Sequence, residues 1–128
     1  MSKLSLELYS PVTDIQLFSK IENVSKMRVE GFRYITATTG NKYMLLQVGN
    51  FTNNRFITST QNMNYSKIIF LDPAASQMVR YTNIDYSSFD HVGDVQDLYN
   101  FTIRIYIDGL IASDVSPANP IQLSLHFE

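Results

Sequence analysis

Two stretches near the C-terminus alternate strictly, and they constrain the fold more than anything else in the chain. In 99–109, Phe101, Ile103, Ile105 and Ile107 alternate with Thr102, Arg104, Tyr106 and Asp108. In 119–128, Ile121, Leu123, Leu125 and Phe127 alternate with Gln122, Ser124, His126 and Glu128. A period of two marks a strand with one face buried and the other in water, whereas a helix would space its apolar residues three or four apart. At 128 residues the chain can bury one core and is too short for two ordinary domains, so 1–128 reads as a single domain.

The remaining segments are shorter and less regular. Leu4, Leu6 and Leu8 alternate with Ser5, Glu7 and Tyr9, giving a first strand closed by Ser10-Pro11. Val12 to Phe18 alternates more loosely, and 20–24 takes no assignment. From Lys26 to Thr38 a longer strand changes parity, with Met27 and Val29 on one face, Phe32 and Tyr34 on the other, and Gly31 between them. A bulge at Gly31 would reconcile the two halves, because glycine tolerates the backbone angles a bulge needs. Thr39-Gly-Asn-Lys42 is a hairpin-turn sequence, and Tyr43 to Val48 returns from it with apolar residues on both faces, both expected to be covered.

Further on, Gly49 to Asn54 reads as a loop, Phe56 to Thr60 as a weak strand and Gln61 to Asn64 as a connection. Tyr65 to Leu71 is a strand ending at Asp72-Pro73, and Gln77 to Tyr81 follows at hairpin spacing. Asn83 to Leu98 has no period and reads as an ordered crossover loop with a helical turn at most; loops of this length generally make contacts or carry function. About eight short strands with no helix-period segment predict an all-β fold, an antiparallel β-sandwich. The chain has no cysteine and no tryptophan, the core marks of an immunoglobulin-like sandwich, and eight strands suit two Greek keys. A single jelly roll is therefore the expected architecture.

Composition removes several functions. Ten basic against twelve acidic residues give a net charge of −2, which supplies no positive field for a phosphate backbone, so no nucleic-acid partner is expected. Without cysteine there are no disulfides, no thiolate chemistry and no cysteine-held zinc. The N-terminal Met1-Ser-Lys-Leu-Ser-Leu-Glu7 lacks the apolar run of a signal peptide, and the longest apolar run, Ile68 to Leu71, is too short to span a bilayer. A soluble protein made in the cytosol is expected. The N-x-[ST] sequons at Asn23, Asn50, Asn64 and Asn100 are then products of a composition rich in Asn, Ser and Thr.

No constellation points to catalysis. Asp85, Asp90, Asp94 and Asp97 with His91 concentrate hard ligands, but their spacing matches no calcium loop, and such carboxylates ordinarily bond neighbouring amides. Only His91 and His126 could serve a metal centre of the cupin kind, no Gly-x-Ser-x-Gly elbow is present, and Gly93 and Gly109 are isolated. Neither an enzyme nor a bound metal or cofactor is expected. Aromatics are more informative: eight Tyr and eight Phe include Tyr81, Tyr86, Phe89 and Tyr99 around the crossover loop. Such rings serve as core, as protein interface or as platforms for sugars.

The strand ending in Ile-Tyr-Ile-Asp108-Gly109, the Pro-containing loop after it and the closing Pro120-Ile-Gln-Leu-Ser-Leu-His-Phe-Glu128 resemble the end of small jelly-roll capsid proteins of large double-stranded DNA viruses. Asn100-Phe-Thr-Ile-Arg104, Lys67-Ile-Ile-Phe-Leu-Asp-Pro73 and the Asn- and Ile-rich composition agree with that resemblance, which covers the last third of the chain and brings no catalytic motif. It implies a minor capsid or vertex (penton-like) component, located in the virion after assembly in the host cytoplasm. The implied partners are other capsid proteins and further copies of itself, a pentamer being favoured; a role as an extended tether through a long N-terminal arm, which some capsid proteins have, is not expected. Contacts are expected from the loops 83–98, 49–54 and 108–119 and from the exposed parity of the last strands. The candidate residues are Tyr86, Phe89, His91, Phe51, Asn53, Asn54, Arg104 and Tyr106. The alternative is a lectin-like carbohydrate- or receptor-binding β-sandwich.

Overall fold

The computed structural model describes residues 2–35, 42–52, 54–71, 78–82 and 90–128, in backbone alone at 34–35, 42, 71, 78–82 and 90–93. Among the described residues there are ten strands: β1 (Ser2–Leu8), β2 (Val12–Ile35), β3 (Lys42–Val48), β4 (Asn54–Ile57), β5 (Asn62–Tyr65), β6 (Lys67–Leu71), β7 (Met78–Thr82), β8 (Asp90–Ile107), β9 (Leu110–Ile111) and β10 (Ile121–Phe127). No helix occurs among the described residues, and every strand pairing is antiparallel. The protein is all-β. Eight strands form one curled sheet in the order β1-β10-β2-β8-β3-β6, with β7 also on β2 and β9 on β8, while β4 and β5 form a separate pair.

Two strands are far longer than their periodicity suggests, β2 with 24 residues and β8 with 18. They pair from Val12 opposite Arg104 to Met27 opposite Asp90, and the register slips three times between Gln16 and Lys26. Each slip resets side-chain parity, so the segment is strand without an uninterrupted period of two. Residues 20–24 therefore belong to β2. Residues 90–98, expected in a crossover loop, belong to β8, and 83–89 lie outside the described residues. At the bend Asn23 takes a left-handed φ of 56°, which Asn accepts more readily than most residues. Its N–H donates to Asp97 Oδ1 at 3.0 Å, and Lys20 Nζ lies 3.6 Å from Asp97 Oδ2. Asp97 thus anchors a backbone amide, as an acidic residue in an irregular stretch is expected to do.

The bulge expected at Gly31 is present. Val29 faces Leu125 and Gly31 faces Ser124, leaving Glu30 as the extra residue, and Val29 and Phe32 are both buried despite their opposite parity. Two expected hairpins are not formed. Strands β2 and β3 flank 36–41, which lie outside the described residues, but β8 stands between them; β6 pairs with β3 while β7 pairs with β2. Partners distant in sequence, not the local turn sequences, set these pairings. One local hairpin that does form is β4–β5, with Thr58 N–H donating to the Gln61 carbonyl across its tip. It lies over the outward face of β3: the Tyr43 and Phe56 rings are 4.6 Å apart, Gln47 Nε2 donates to the Asn64 carbonyl, and Leu45 is fully buried. Strand β3 is covered on both faces, as its sequence suggests.

The concave side of the sheet holds the core, built from the inward parity of the long strands: Met27 and Val29, Met44 and Leu46, Ile103 and Ile105, and Leu123, Leu125 and Phe127. Phe51 joins them at 2% exposure, its ring centroid 6.0 Å from that of Phe127. The sequence placed Phe51 on a contact loop; it is a core residue, because the turn after β3 folds inward with Gly49 N–H donating to the Thr102 carbonyl. At the end of β8, Asp108 and Gly109 take φ of 51° and 82°, the positive pair that an Asp-Gly type I′ hairpin turn uses. A Cβ on Gly109 would also collide with the Gln61 side chain. Phe51→Ala is expected to lower unfolding free energy by about 3–5 kcal/mol, the range for emptying a phenylalanine site. Urea denaturation measures it, and an unchanged midpoint would return Phe51 to the surface.

Candidate functional site

Among the described residues an uncovered polar surface lies on the outward side of the β2–β8 ladder. Val12, Asp14 and Gln16 on β2 stand opposite Arg104, Thr102 and Asn100 on β8, and Gln47 of β3 is the next residue beyond Arg104. These residues share the outward parity because their neighbours Ile103 and Ile105 are taken into the core. Thr102 Oγ1 donates to Asp14 Oδ1 at 2.6 Å, tying the two strands on this face.

Two shallow depressions adjoin here through Asn100, Phe101 and Thr102. One, of about 400 Å³, is bordered by Asp14, Ile15 and Gln16; the other, of about 250 Å³, by Gly49, Asn50, Gln96, Asp97, Leu98 and Arg104. Among the described residues Arg104 makes no ion pair, so its guanidinium faces solvent as an available donor fork. The carboxamides of Asn50, Gln96 and Asn100 each offer both a donor pair and an acceptor. Chemically the surface supplies hydrogen bonds and one cation on a firm β scaffold. Among the described residues no group of three or more acidic or histidine side chains is placed to hold a metal ion.

The sequence-expected residues scatter. Arg104 is exposed and borders the smaller depression, and Tyr106 is half-buried on the same parity, opposite the covered Leu45. Asn54 opens β4, half-buried, opposite Tyr65. His91 is placed by its backbone in β8, opposite Lys26, its side chain lying outside the described set, and Asn53, Tyr86 and Phe89 lie outside it altogether. Phe51 is core. Sequence reading misses Gln96, which falls in the stretch 83–98 read as a loop but belongs to β8, and Asn100, which lies in the expected strand 99–109 but is not singled out there.

It also placed His126 on an exposed parity, and this is corrected: His126 is only 4% exposed. Lys3 of β1, His126 of β10 and Arg28 of β2 are consecutive cross-strand neighbours, and Glu30 joins them from the bulge. Arg28 Nη2 lies 3.0 Å from both Glu30 Oε1 and His126 Nδ1, His126 Nδ1 is 3.3 Å from Glu30 Oε1, and Lys3 Nζ is 3.4 Å from it. The hydrogen bond from Arg28 holds the Glu30 carboxyl below its ordinary value of 4.5, with Lys3 and His126 helping and burial opposing.

A carboxylate with a depressed native pKa contributes stability above its ordinary value and loses that contribution as the pH falls through the native one. Glu30→Gln should therefore destabilise the protein at neutral pH, and the gap from wild type should close as the pH drops below 4.5. Thermal midpoints of both proteins across pH measure this; a gap constant down to strong acid would contradict it.

Among the described residues no helix is long and apolar enough to cross a membrane. Comparison with protein-family models, with curated proteins and with solved structures finds no match to this chain.

Proposed function

We propose that the chain is a structural virion protein, a single jelly-roll minor capsid or vertex component that assembles with itself and with larger capsomers. The observation that carries the reading is the apolar surface left uncovered beside the polar face. On the β2–β8 ladder Phe18 is wholly exposed at 108%, and Val95, Tyr99 and Val12 are exposed as well, with Tyr9 just before β2. Gln61 Nε2 donates to the Gly109 carbonyl at 3.3 Å, bringing the β4–β5 tip to the β8–β9 turn. That places Ile57, Leu110 and Ile111, all exposed, at one end of the molecule. Large apolar side chains left in solvent, with amides and an arginine exposed on the same ladder, are residue types that protein interfaces use. The all-β scaffold and the resemblance of the last third of the chain to small capsid jelly rolls support the same reading.

The mechanism is mechanical. Rigid strands present surfaces whose burial in a closed symmetric assembly offsets the loss of freedom on association. Light scattering of the purified protein over a concentration series is expected to give a closed oligomer, with a pentamer for a vertex role. Phe18→Ser with Val95→Ser should reduce association while leaving the thermal midpoint nearly unchanged, since neither side chain is buried. A mass unaffected by that double change would contradict the proposed surface.

The polar depressions favour a second reading, a lectin-like module in which Asn50, Gln96, Asn100 and Arg104 bond sugar hydroxyls. Saturation-transfer NMR against a glycan panel tests it, and a blank panel removes it.

A further inference from the structure

We propose that the outer edge of β1 is a self-recognition edge through which two copies of this chain pair antiparallel about a two-fold axis, continuing the sheet from one copy into the other. One edge of β1 is fully used: Ser2 to Leu8 pair without interruption against Phe127 to Ile121 of β10. Among the described residues no strand pairs with the other edge. Sheet proteins ordinarily blunt such edges with charged side chains, a proline, a bulge or a very short strand. Strand β1 runs seven residues with no proline or bulge, and its two charges, Lys3 and Glu7, are of opposite sign, so they repel a strand of like charge but not an antiparallel copy of this one.

What singles out a second copy as the occupant is the order of residues along the edge. Lys3, Ser5 and Glu7 point outward and are exposed, while Leu4, Leu6 and Leu8 point to the core side. Antiparallel pairing centred on Ser5 puts Lys3 opposite the partner's Glu7, Glu7 opposite the partner's Lys3, and Leu4 opposite the partner's Leu6. A slip of one residue would set outward side chains against inward ones. A slip of two would leave both charges without an opposite. The register that pairs all seven residues is thus also the one that forms two Lys–Glu cross-strand pairs, which stabilise antiparallel sheets, as apolar pairs such as Leu–Leu also do. Leu4 and Leu6, only half-buried in the single chain, gain apolar neighbours in the pair. The inference needs only this strand and stands apart from the virion role.

A strand-to-strand contact is smaller than the roughly 1,200 Å² at which standard interfaces begin, so this two-fold contact is expected to be weak and concentration-dependent, joining pairs of whatever unit the other surfaces assemble. Sedimentation equilibrium tests it by charge exchange. Glu7→Lys faces lysine with lysine at both pairs and should weaken dimerisation by roughly tenfold or more, given the energies of cross-strand charge pairs. Glu7 makes no ion pair among the described residues, so this variant should fold as wild type, which circular dichroism checks. Lys3→Glu also meets Glu30, 3.4 Å from Lys3 Nζ, so it is used only in mixtures. Mixed with the Glu7→Lys protein it should restore association as a heterodimer, because each lysine again faces a glutamate. Loss of wild-type dimer in Glu7→Lys and its return in the mixture support the pairing. A strictly monomeric wild type, or an association unchanged by Glu7→Lys, overturns it. Association lost through Phe18→Ser with Val95→Ser but retained in Glu7→Lys would leave the assembly reading intact and remove this one.

Discussion

The antiparallel ladder between β2 and β8 is the constraint on which the remaining strands depend. It joins residues as far apart in sequence as Val12 and Arg104. Strand β2 then offers its C-terminal half to β10 and β7, and β8 offers its own to β3 and β9. Without the ladder these strands have no register to follow. Its cost is the closing of a long loop, which delays folding until enough apolar surface is buried to offset the lost chain entropy. That burial comes from the inward row of Ile103, Ile105, Leu125 and Phe127.

How much of this was legible follows from where the ladder is regular. Ile121 to Phe127 and Phe101 to Ile107 alternate without interruption, and both are strands with the expected buried parity. The Gly31 bulge was readable because a parity change was marked by a glycine. The bend between Gln16 and Lys26 was not, because that part of β2 holds no glycine or proline and Gly93, within the slip on β8, falls in a stretch with no period to mark it; Asp97 bonding the Asn23 amide anchors the bend. The same slips hid 90–98 as strand. Strand partners were the least legible feature: the turn sequence at 39–42 suggests a local hairpin, yet β3 is paired with β6 and β8. The type I′ turn at Asp108-Gly109 and the short strand β9 after it went unread, because 108–119 was taken whole as a contact loop.

The candidate surface shows a related limit. Parity tells which face of a strand a residue occupies but not whether that face is covered. Arg104 and His126 both sit on polar parities, and one is exposed while the other is buried beside Arg28 and Glu30. Leu45 and Phe18 make the converse pair, the first covered by the β4–β5 hairpin and the second open to solvent. Covering is decided by elements distant in sequence, so the surface around Gln96, Asn100 and Arg104 could be recognised only once β8 was extended through the bend.

Amide hydrogen exchange followed residue by residue in the dilute protein tests the central claim most directly, that one long ladder organises the chain. The account expects the slowest amides in β2 and β8, on both sides of the bend, with β4 and β5 opening earlier because they form a separate pair. If the slowest amides lay instead in β3 and β6, or if β2 and β8 opened first while the other strands stayed protected, the ladder would be a consequence of the fold and not its foundation.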